Sequence, residues 1–351
     1  MTSTLLSRPT VDTDLEFVRI VDELSRRGFL AGTAGAAALL GLAACGDSGS
    51  GPAASGSSPA GFPVTVTDTF GTVTISSPPK TVVSAGRTDH DVLLALGVVP
   101  VAVYRFVPVM KKGVGPWALS RLGDADPKIL TNPLNYELIA SLTPDLILDV
   151  QSFADKKQYD TLSDIAPTVG LPKGATPNAV PWQQSTEFIA TALGRQQDGQ
   201  KLVAQTNSFL TARAKAHPAF AGKTVSVLLT YGTEVGAYAA SDTRMQLLTA
   251  LGFTPSPFVK GLGDKTFFTQ LSPERLADVA SDVVVVLSQT GQSQSQQLAA
   301  FPTLASIPGY GDGRVLFVSD LNVALAMSSA SVLSIPYAVN ALEPLLAGAT
   351  R

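Results

Sequence analysis

The chain has 351 residues, of which 45% are hydrophobic, 15% charged and 7% aromatic, a composition typical of a protein that buries a core. At roughly 100–200 residues per domain, this length indicates about two domains. The 25 Lys and Arg residues against 28 Asp and Glu residues give a formal net charge of −3, and no basic stripe follows the chain, which argues against nucleic acid as a partner. The single Cys excludes an internal disulfide, and the two His residues leave little material for a zinc site.

Residues 1–44 are typical of an export signal. Arg26 and Arg27 precede a mildly apolar run, rich in Gly and Ala, that ends at Leu42-Ala43-Ala44-Cys45. Paired arginines in this position indicate a twin-arginine signal peptide, and the run is too short and too weakly apolar for a membrane span of about 20 residues. The last four residues resemble a bacterial lipobox, which predicts cleavage before Cys45 and lipidation of that cysteine. An uncleaved signal anchor with an incidental cysteine is the alternative.

Residues 45–61 predict a flexible tether between the lipidated cysteine and a folded body. After Cys45 this stretch consists of Gly, Ser, Pro and Ala with one charged residue, Asp47. A tether of this length reaches roughly 20–25 Å. We therefore expect an exported protein that its lipid holds close to the outer face of the cell membrane, in the periplasm or the cell-wall space.

The residues after the tether alternate between strand-like and helix-like segments, which predicts an N-terminal α/β lobe over residues 62–180. Residues 64–75 alternate in polarity around a turn with Gly71, which predicts a β-hairpin. Short apolar runs at 82–85, 98–103 and 145–149 predict buried strands. The helices expected between and after them cover residues 91–97, 135–142 and 160–165. Strands and helices at this spacing favour parallel βαβ units.

Residues 181–218 show no strand pattern and predict a linking helix region. The helical pattern breaks at Gly194 and resumes over 196–216 as one helix about 30 Å long. A second α/β lobe is expected over residues 219–351. Its predicted strands are 225–231, 237–240, 283–287 and 315–318, and its predicted helices are 243–251, 272–280, 293–301 and 330–346. The predicted fold class is therefore α/β, with two Rossmann-like lobes built on parallel sheets, one long α-helix joining them, and a ligand cleft between them.

Six segments of the chain resemble, in their order, the helical-backbone (class III) substrate-binding proteins of ABC importers. This is the branch that carries iron–siderophores, haem and cobalamin. The segments are 78–84, 91–101, 135–147, 165–169, Trp182 with 192–194, and 272–276. The resemblance implies two rigid lobes that close by a small hinge motion, a binding protein without a catalytic step, and a monomer that meets a permease of two transmembrane subunits.

Two glutamates match this family's lobe-tip positions. Glu137 lies in the Asn135–Asp145 segment, and Glu274 follows Ser272-Pro273. The resemblance implies that each meets an arginine of one permease subunit, because Arg–carboxylate pairs orient a docking surface. The alternative is that both are ordinary first-turn acids, favoured by the helix dipole.

The resemblance places the ligand between the lobes, against loops that follow strands. The loops in question are 86–90, 104–106, 242–244 and 265–268. Arginine and aromatic side chains together suit a ferric siderophore, which is bulky, often anionic and partly planar. The candidate ligand-binding residues are Arg87, Tyr104, Arg105, Trp117, Tyr231, Tyr238 and Arg244.

Other cargoes and roles stay open from the sequence. Haem or cobalamin is the alternative cargo, and haem would need an axial ligand such as His90 or Tyr104. With a siderophore, the iron keeps its siderophore oxygens, so neither a protein metal site nor a cofactor is expected. A cell-surface interaction lipoprotein without transport is the alternative of another class. Enzyme motifs fail: Ala221-Gly222-Lys223-Thr224 lacks the upstream glycine of a phosphate loop, and no Gly-x-Ser-x-Gly elbow occurs.

Overall fold

The computed structural model describes residues 61–263 and 266–351. The predicted signal peptide, the lipidation site Cys45 and the tether up to residue 60 lie outside the described residues, as does Lys265 of the loop 265–268. Within the described ranges, no helix has both the length and the apolar character that crossing a membrane requires.

The predicted hairpin opens the described chain. Strands β1 (Val64–Thr67) and β2 (Thr72–Ile75) pair antiparallel. Asp68 fixes the turn, since its Oδ1 accepts from the amides of Phe70 at 2.8 Å and Gly71 at 2.9 Å. Its Oδ2 accepts from the Gly170 amide at 2.8 Å, which ties the hairpin to the N-terminal lobe.

The N-terminal sheet has five short strands and is parallel, as predicted, but the strand at Lys128–Leu130 was not predicted. They are β3 (Val82–Ser84), β4 (Ala102–Tyr104), β5 (Lys128–Leu130), β6 (Leu146–Leu148) and β7 (Thr168–Val169), in the order β5-β4-β3-β6-β7. Strand β3 therefore has β4 on one side and β6 on the other. The chain continues from β3 to β4 and β5 on one side and then crosses to β6 on the other, and such a reversal of strand order opens a crevice at the carboxyl ends of the strands.

Four short helices pack around this sheet. They are α1 (Asp89–Ala95), α2 (Leu119–Leu122), α3 (Tyr136–Ser141) and α4 (Lys156–Ser163), with a 3-10 helix at Pro116–Ala118 before α2. Every residue of α1 is buried. Helix α4 begins four residues before the predicted 160–165 because Asp155 caps it, accepting from the Gln158 amide at 2.7 Å.

Two consecutive helices link the lobes. Helix α5 (Trp182–Ala192) ends before Gly194, whose φ is +67°, and α6 (Gln196–Ala216) covers the predicted 196–216. A Cβ on Gly194 would lie 2.5 Å from the Phe62 ring, so glycine is required by space as well as by φ.

The end of α6 is fastened to the C-terminal lobe. Arg213 Nη1 lies 3.2 Å from Glu343 Oε2, and its Nη2 lies 3.1 Å from Asn340 Oδ1. His217 pairs with the other oxygen of Glu343. The C-terminal end of the long helix is therefore held against the C-terminal lobe, whereas Leu202 nearer its start is buried in the cluster of the N-terminal lobe.

The C-terminal sheet is mixed, whereas a parallel sheet was predicted. Its strands are β8 (Thr224–Tyr231), β9 (Glu234–Tyr238), β10 (Thr254–Pro255), β11 (Phe268–Leu271), β12 (Val283–Ser288) and β13 (Val315–Val318), in the order β11-β9-β8-β12-β13 with β10 on β8. Strands β8, β12 and β13 are parallel, but β9 is antiparallel to β8 and β11 to β9. The reason is the tight turn at Gly232, φ +51°, which folds β9 straight back onto β8.

The helices of this lobe follow the prediction at 243–251 and 293–301 and depart from it elsewhere; the helix Pro257–Gly261 was not predicted. They are α7 (Thr243–Ala250), α8 (Pro257–Gly261), α9 (Gln294–Ala300), α10 (Leu321–Ser329) and α11 (Ser334–Ala349), with 3-10 helices at Pro218–Phe220, Pro273–Ala277 and Pro302–Ser306. The helix predicted over 272–280 is the short 3-10 turn. The helix predicted over 330–346 begins at Ser334. Helix α10 before it was not predicted, and it ends at Ala330, whose φ is +40°.

The two lobes share packing at their junction. Val332 and Leu333, between α10 and α11, are buried in the hydrophobic cluster of the N-terminal lobe. Trp117 and Trp182 pack against the main cluster of each lobe. The segment 330–334 of the C-terminal lobe is therefore part of the contact between the two lobes.

Candidate functional site

The loop after β3 lies at the strand reversal of the N-terminal sheet and is clamped by a buried carboxylate. Asp89 accepts from the amides of Val150 at 2.8 Å and Gln151 at 3.1 Å, both just beyond β6. Burial raises the pKa of Asp89 to about 6, against the effect of these two amides. A Cβ on Gly86 would lie 2.1 Å from Asp89 Oδ2, so only glycine lets the loop approach. The clamp fixes the backbone that carries Arg87.

Arg87 reaches from this loop towards the other lobe. Its guanidinium carbon lies 4.7 Å from the centre of the Phe106 ring, and Nη2 lies 3.5 Å from the Asn178 carbonyl. Burial lowers the pKa of Arg87, and the charge of Arg244 lowers it further, while Asp242 opposes both. Arg244 and Asp242 belong to the C-terminal lobe, so Arg87 is under the electrostatic influence of the opposite lobe.

The C-terminal lobe contributes a second arginine to the site, Arg244, which is held by a carboxylate and by an aromatic ring. Arg244 Nη1 lies 2.9 Å from Asp242 Oδ2 and 3.1 Å from Oδ1, and its guanidinium carbon lies 4.0 Å over the Tyr238 ring. Asp242 also caps α7, accepting from the Arg244 amide at 2.9 Å. Burial raises the pKa of Tyr238, which is 5% exposed. Ion pair and ring together hold the Arg244 side chain in one place.

Phe268 joins the aromatic side chains of this lobe into one wall. Its ring centre lies 5.6 Å from that of Tyr231 and 5.0 Å from that of Tyr238. A Cβ on Gly236 would lie 2.0 Å from Phe268 Cζ, so the strand beneath must be glycine there. The predicted residues Tyr231 and Tyr238 are thus brought together, by a phenylalanine that was not among the candidates.

Tyr104 is the last residue of β4 in the N-terminal lobe, and Arg105 follows it. Both are half-buried, and the Arg105 amide donates to the Leu130 carbonyl at 2.8 Å. Tyr104 is among the groups that act electrostatically on Arg87. The Arg105 guanidinium makes no hydrogen bond or ion pair with any residue that the structure describes.

Trp117 lies at the junction of the lobes. Its indole N–H donates to Asp91 Oδ2 at 2.8 Å, and its ring centre lies 5.7 Å from that of Tyr337 in α11. Ser331 of the C-terminal lobe donates to the same carboxylate oxygen at 2.5 Å. Asp91, Trp117 and Ser331, which we call the junction triad, therefore link the lobes by hydrogen bonds.

His90 is enclosed beside the junction triad. It is 3% exposed, with Nε2 3.5 Å from Asp91 Oδ1, and burial lowers its pKa. Burial raises the pKa of Asp91. An imidazole in this position is not offered to a ligand in the cleft, which leaves Tyr104 as the candidate axial ligand for haem.

Glu137 and Glu274 are both exposed, one in each lobe. Glu137 lies in the first turn of α3, which Asn135 caps by accepting from the Leu138 amide at 2.9 Å. Glu274 lies in the 3-10 turn Pro273–Ala277. Neither carboxylate forms an ion pair with a described residue, so both are open to an outside partner.

Three residues of the site were not selected from the sequence, although the loops that hold them were. Asp242 could have been selected from the sequence, because an Asp two residues before an Arg at a helix start can both cap the helix and form an ion pair with that Arg. Phe106 and Phe268 had none, because a phenylalanine after a strand is equally typical of a core edge. No group of three or more His, Cys, Asp or Glu residues suited to a metal ion occurs in 61–263 or 266–351.

Known proteins share this architecture. A family model described as periplasmic binding protein matches residues 82–320. The Fe(3+)-citrate-binding protein YfmC of Bacillus subtilis is 23% identical over 250 residues, covering 71% of this chain and 76% of that protein. A periplasmic solute binding protein from Mycobacterium smegmatis has a TM-score of 0.72 and 31% identity, covering 82% of this chain and 99% of that one. PiaA from Streptococcus pneumoniae in complex with ferrichrome has a TM-score of 0.69 and 28% identity, covering 82% and 98%.

Proposed function

Because the chain belongs to the periplasmic binding protein family, we propose that it captures a ferric siderophore outside the cytoplasm and delivers it to an ABC permease. The observation that carries the proposal is the pair Arg87 and Arg244, which come from opposite lobes and each lie over an aromatic ring. Charge, stacking and a wall of tyrosine and phenylalanine suit a bulky iron chelate. Relatives named for ferric citrate and solved with ferrichrome support the same class of cargo.

In this role the protein binds and releases, with no chemical step and no cofactor of its own. The iron keeps the oxygen ligands of its siderophore, so no protein atom needs to touch the metal. The side chains that hold the chelate are Arg87, Tyr104, Arg105, Tyr231, Tyr238 and Arg244, with Trp117 at the junction of the lobes. Haem in the same cleft is the competing cargo, with Tyr104 as the axial ligand.

The mature protein is anchored at the outer face of the cell membrane. Export by the twin-arginine pathway and lipidation of Cys45 follow from the sequence of residues 1–45. It acts as a monomer and docks through Glu137 and Glu274, one carboxylate on each lobe. Two such acids make docking depend on the separation of the lobes, because both can pair with the permease arginines only at one inter-lobe distance.

The cargo is tested by fluorescence titration of the mature chain without its lipid. The chain has two tryptophans, Trp117 and Trp182, and both lie at the lobe junction. We expect saturable quenching by a ferric siderophore at sub-micromolar concentration, and none by the iron-free siderophore. A response to haemin alone, with a Soret band that shifts on Tyr104→Phe, would replace siderophore by haem. No change in fluorescence with any of the chelates would contradict the proposal.

Docking is tested by uptake of radioactive iron chelate into cells. Glu137→Ala and Glu274→Ala should each lower uptake about tenfold while the affinity for the chelate stays unchanged. Glu187→Ala is the control, because Glu187 is an equally exposed acid on α5. Uptake that survives both lobe substitutions would contradict docking through these residues.

A further inference from the structure

A surface pocket of the C-terminal lobe lies beside the turn between β8 and β9. Its volume is about 440 Å³, a size that ligand-binding pockets of proteins commonly have. The pocket is lined by the start of β9, by the end of β11 with the 3-10 turn Pro273–Ala277, and by Phe301 and Thr303. Three separate parts of the chain therefore build it.

The pocket has an apolar base and a carboxylate at its side. Val235, Leu271 and Leu276 are buried, and Phe301 is half-buried. Glu234 also lines the pocket, is half-buried and forms no ion pair with a described residue. No Lys, Arg or His is among the described residues that line it. A carboxylate over an apolar base suits a side chain with a long apolar stem and a positive end. Arginine fits better than lysine, because a guanidinium is less strongly hydrated and pairs with a carboxylate in a fixed geometry.

The hairpin of β8 and β9 positions Glu234. In its register Glu234 lies directly opposite Tyr231, so the two side chains share one face of the sheet with their Cβ atoms about 5 Å apart. Desolvation raises the pKa of Tyr231, and the hydrogen bond between its side chain and Glu234 raises it further. The Tyr231 ring centre lies 5.6 Å from that of Phe268. The carboxylate of the pocket is therefore supported by the aromatic wall of the cleft.

The pocket adjoins the proposed docking residue Glu274. Pro273 and Leu276 line the pocket, and Glu274 lies between them in the same 3-10 turn. The next residue, Arg275, is engaged elsewhere, since its Nε lies 2.9 Å from Asp278 Oδ2. This side of the C-terminal lobe therefore presents two carboxylates that no described residue pairs with.

We propose that the pocket receives an arginine from an extracytoplasmic loop of the permease, and that Glu234 is the carboxylate that pairs with it. The inference rests on the proposed function, because it adds a second contact on the C-terminal lobe beside Glu274. The apolar base accommodates the stem of the arginine, and Glu234 accepts hydrogen bonds from its guanidinium. A second copy of this chain fits less well, because a two-fold contact through this surface would bring acid against acid.

Glu234→Gln tests the carboxylate, in cells that carry the variant in place of the wild-type gene. Gln keeps an acceptor for Tyr231, so the chelate affinity measured by fluorescence should stay unchanged. Uptake of radioactive iron chelate should fall about five- to tenfold, because a charge-assisted hydrogen bond becomes a neutral one. Unchanged uptake overturns the inference. A loss of uptake that a loss of chelate affinity explains also overturns it, since Glu234 would then act in the cleft.

Asp312→Asn is the control for the lost charge. Asp312 is an exposed acid of the same lobe and lies before β13. Because β8, β12 and β13 are parallel, it is at the opposite end of the sheet from the turn after β8. Uptake should stay at the wild-type level. A loss equal to that of Glu234→Gln would assign the effect to overall charge and overturn the inference.

Thr303→Arg tests the pocket itself. Thr303 is exposed and lines the pocket, so the substituted side chain competes for the place of the permease arginine. Ala305→Arg is the matched control, because Ala305 is exposed in the same 3-10 turn, Pro302–Ser306, but does not line the pocket. Uptake should fall at least about tenfold for Thr303→Arg and stay near the wild-type level for Ala305→Arg. Equal uptake by the two variants overturns the pocket as a docking site.

Comparison with Glu274→Ala separates failure of this inference from failure of the proposed function. Uptake that depends on Glu274 but on neither Glu234 nor Thr303 overturns the inference and leaves the proposed function standing. A chain that binds no iron chelate overturns both. Size-exclusion chromatography should show a monomer, and a wild-type dimer that Thr303→Arg dissociates would assign the pocket to a second copy and overturn the inference. Thermal unfolding verifies that each variant folds.

Discussion

The two lobes hold their cleft arginines in different ways. Arg244 is fixed by a carboxylate at 2.9 Å and by a ring at 4.0 Å whose tyrosine is buried. Arg87 has a ring at 4.7 Å, that of Phe106, which is itself 42% exposed, and one long contact of 3.5 Å to a carbonyl. The C-terminal arginine is therefore held by more contacts than the N-terminal one.

The N-terminal lobe is rigid instead at the backbone. Its loop is clamped by Asp89, and three of its carboxyl groups, Asp89, Asp91 and Asp149, are fully buried with raised pKa values. In the described part of the C-terminal lobe, the one buried carboxyl group is that of Asp242, and it is 9% exposed. One lobe thus positions its arginine by an ion pair, and the other by buried carboxylates beneath the loop.

The largest effect is expected from Asp89→Ala, which removes the clamp. The amides of Val150 and Gln151 lose their acceptor in a buried place, so the free energy of unfolding should fall by about 2–4 kcal/mol. Chelate affinity should fall as well, because the loop carrying Arg87 is released. Denaturant unfolding and the fluorescence titration measure the two effects.

Asp145→Ala is the control for that clamp. Asp145 accepts from the amides of Lys80 at 2.8 Å and Thr81 at 2.9 Å in the same way, but it is exposed and lies at the other end of the sheet. Water replaces an exposed acceptor, so the loss should stay below about 1 kcal/mol with chelate affinity unchanged. Equal losses in both variants would contradict the clamp.

A smaller effect, with a pH signature, is expected from Asp149→Asn. Burial raises the pKa of Asp149 to about 7, above the value of about 3.9 in an unfolded chain. The folded state therefore holds this proton more tightly, and stability is lost as the pH rises from about 4 through about 7. Asn imitates the protonated form, so the variant should exceed the wild type by about 1–3 kcal/mol at pH 8 and by much less at pH 4.5.

Urea unfolding at the two pH values measures this difference. Asp160→Asn is the control, because Asp160 is exposed and pairs with Lys156 at 2.7 Å on the outer face of α4. A stability gain that is equal at both pH values would show that the burial of Asp149 does not act through its ionisation.

The smallest effect is expected from Ser331→Ala, which removes the inter-lobe hydrogen bond of the junction triad. The cost should be about 1–2 kcal/mol, and the emission of Trp117 should shift because Asp91 Oδ2 keeps only the indole as donor. A Trp182→Phe background isolates that emission. Ser334→Ala is the control, since Ser334 Oγ accepts from the Ser331 amide at 2.8 Å within one lobe. The same shift in both variants would contradict a specific link between lobes.

Where the local sequence pattern was strong, the sequence alone was sufficient to predict the secondary structure. The hairpin, the break at Gly194 and the helix Gln196–Ala216 were all predicted, since alternation, a left-handed glycine and helical periodicity are properties of neighbouring residues. Arg87, Arg244 and Tyr238 were selected from the sequence because side chains that follow strands gather at one edge of a sheet, and in the structure these three act on one another electrostatically.

Contacts between distant segments decided the rest. Ala330 ends α10 in a left-handed conformation without being glycine, because the segment behind it is held by Asp91 and by the N-terminal core. The enclosure of His90 and the place of Trp117 at the junction also depend on α1 lying between the lobes. The effect of Arg244 and Asp242 on Arg87 exists only once both lobes are in place, since Coulomb interactions follow distance in space and not distance along the chain.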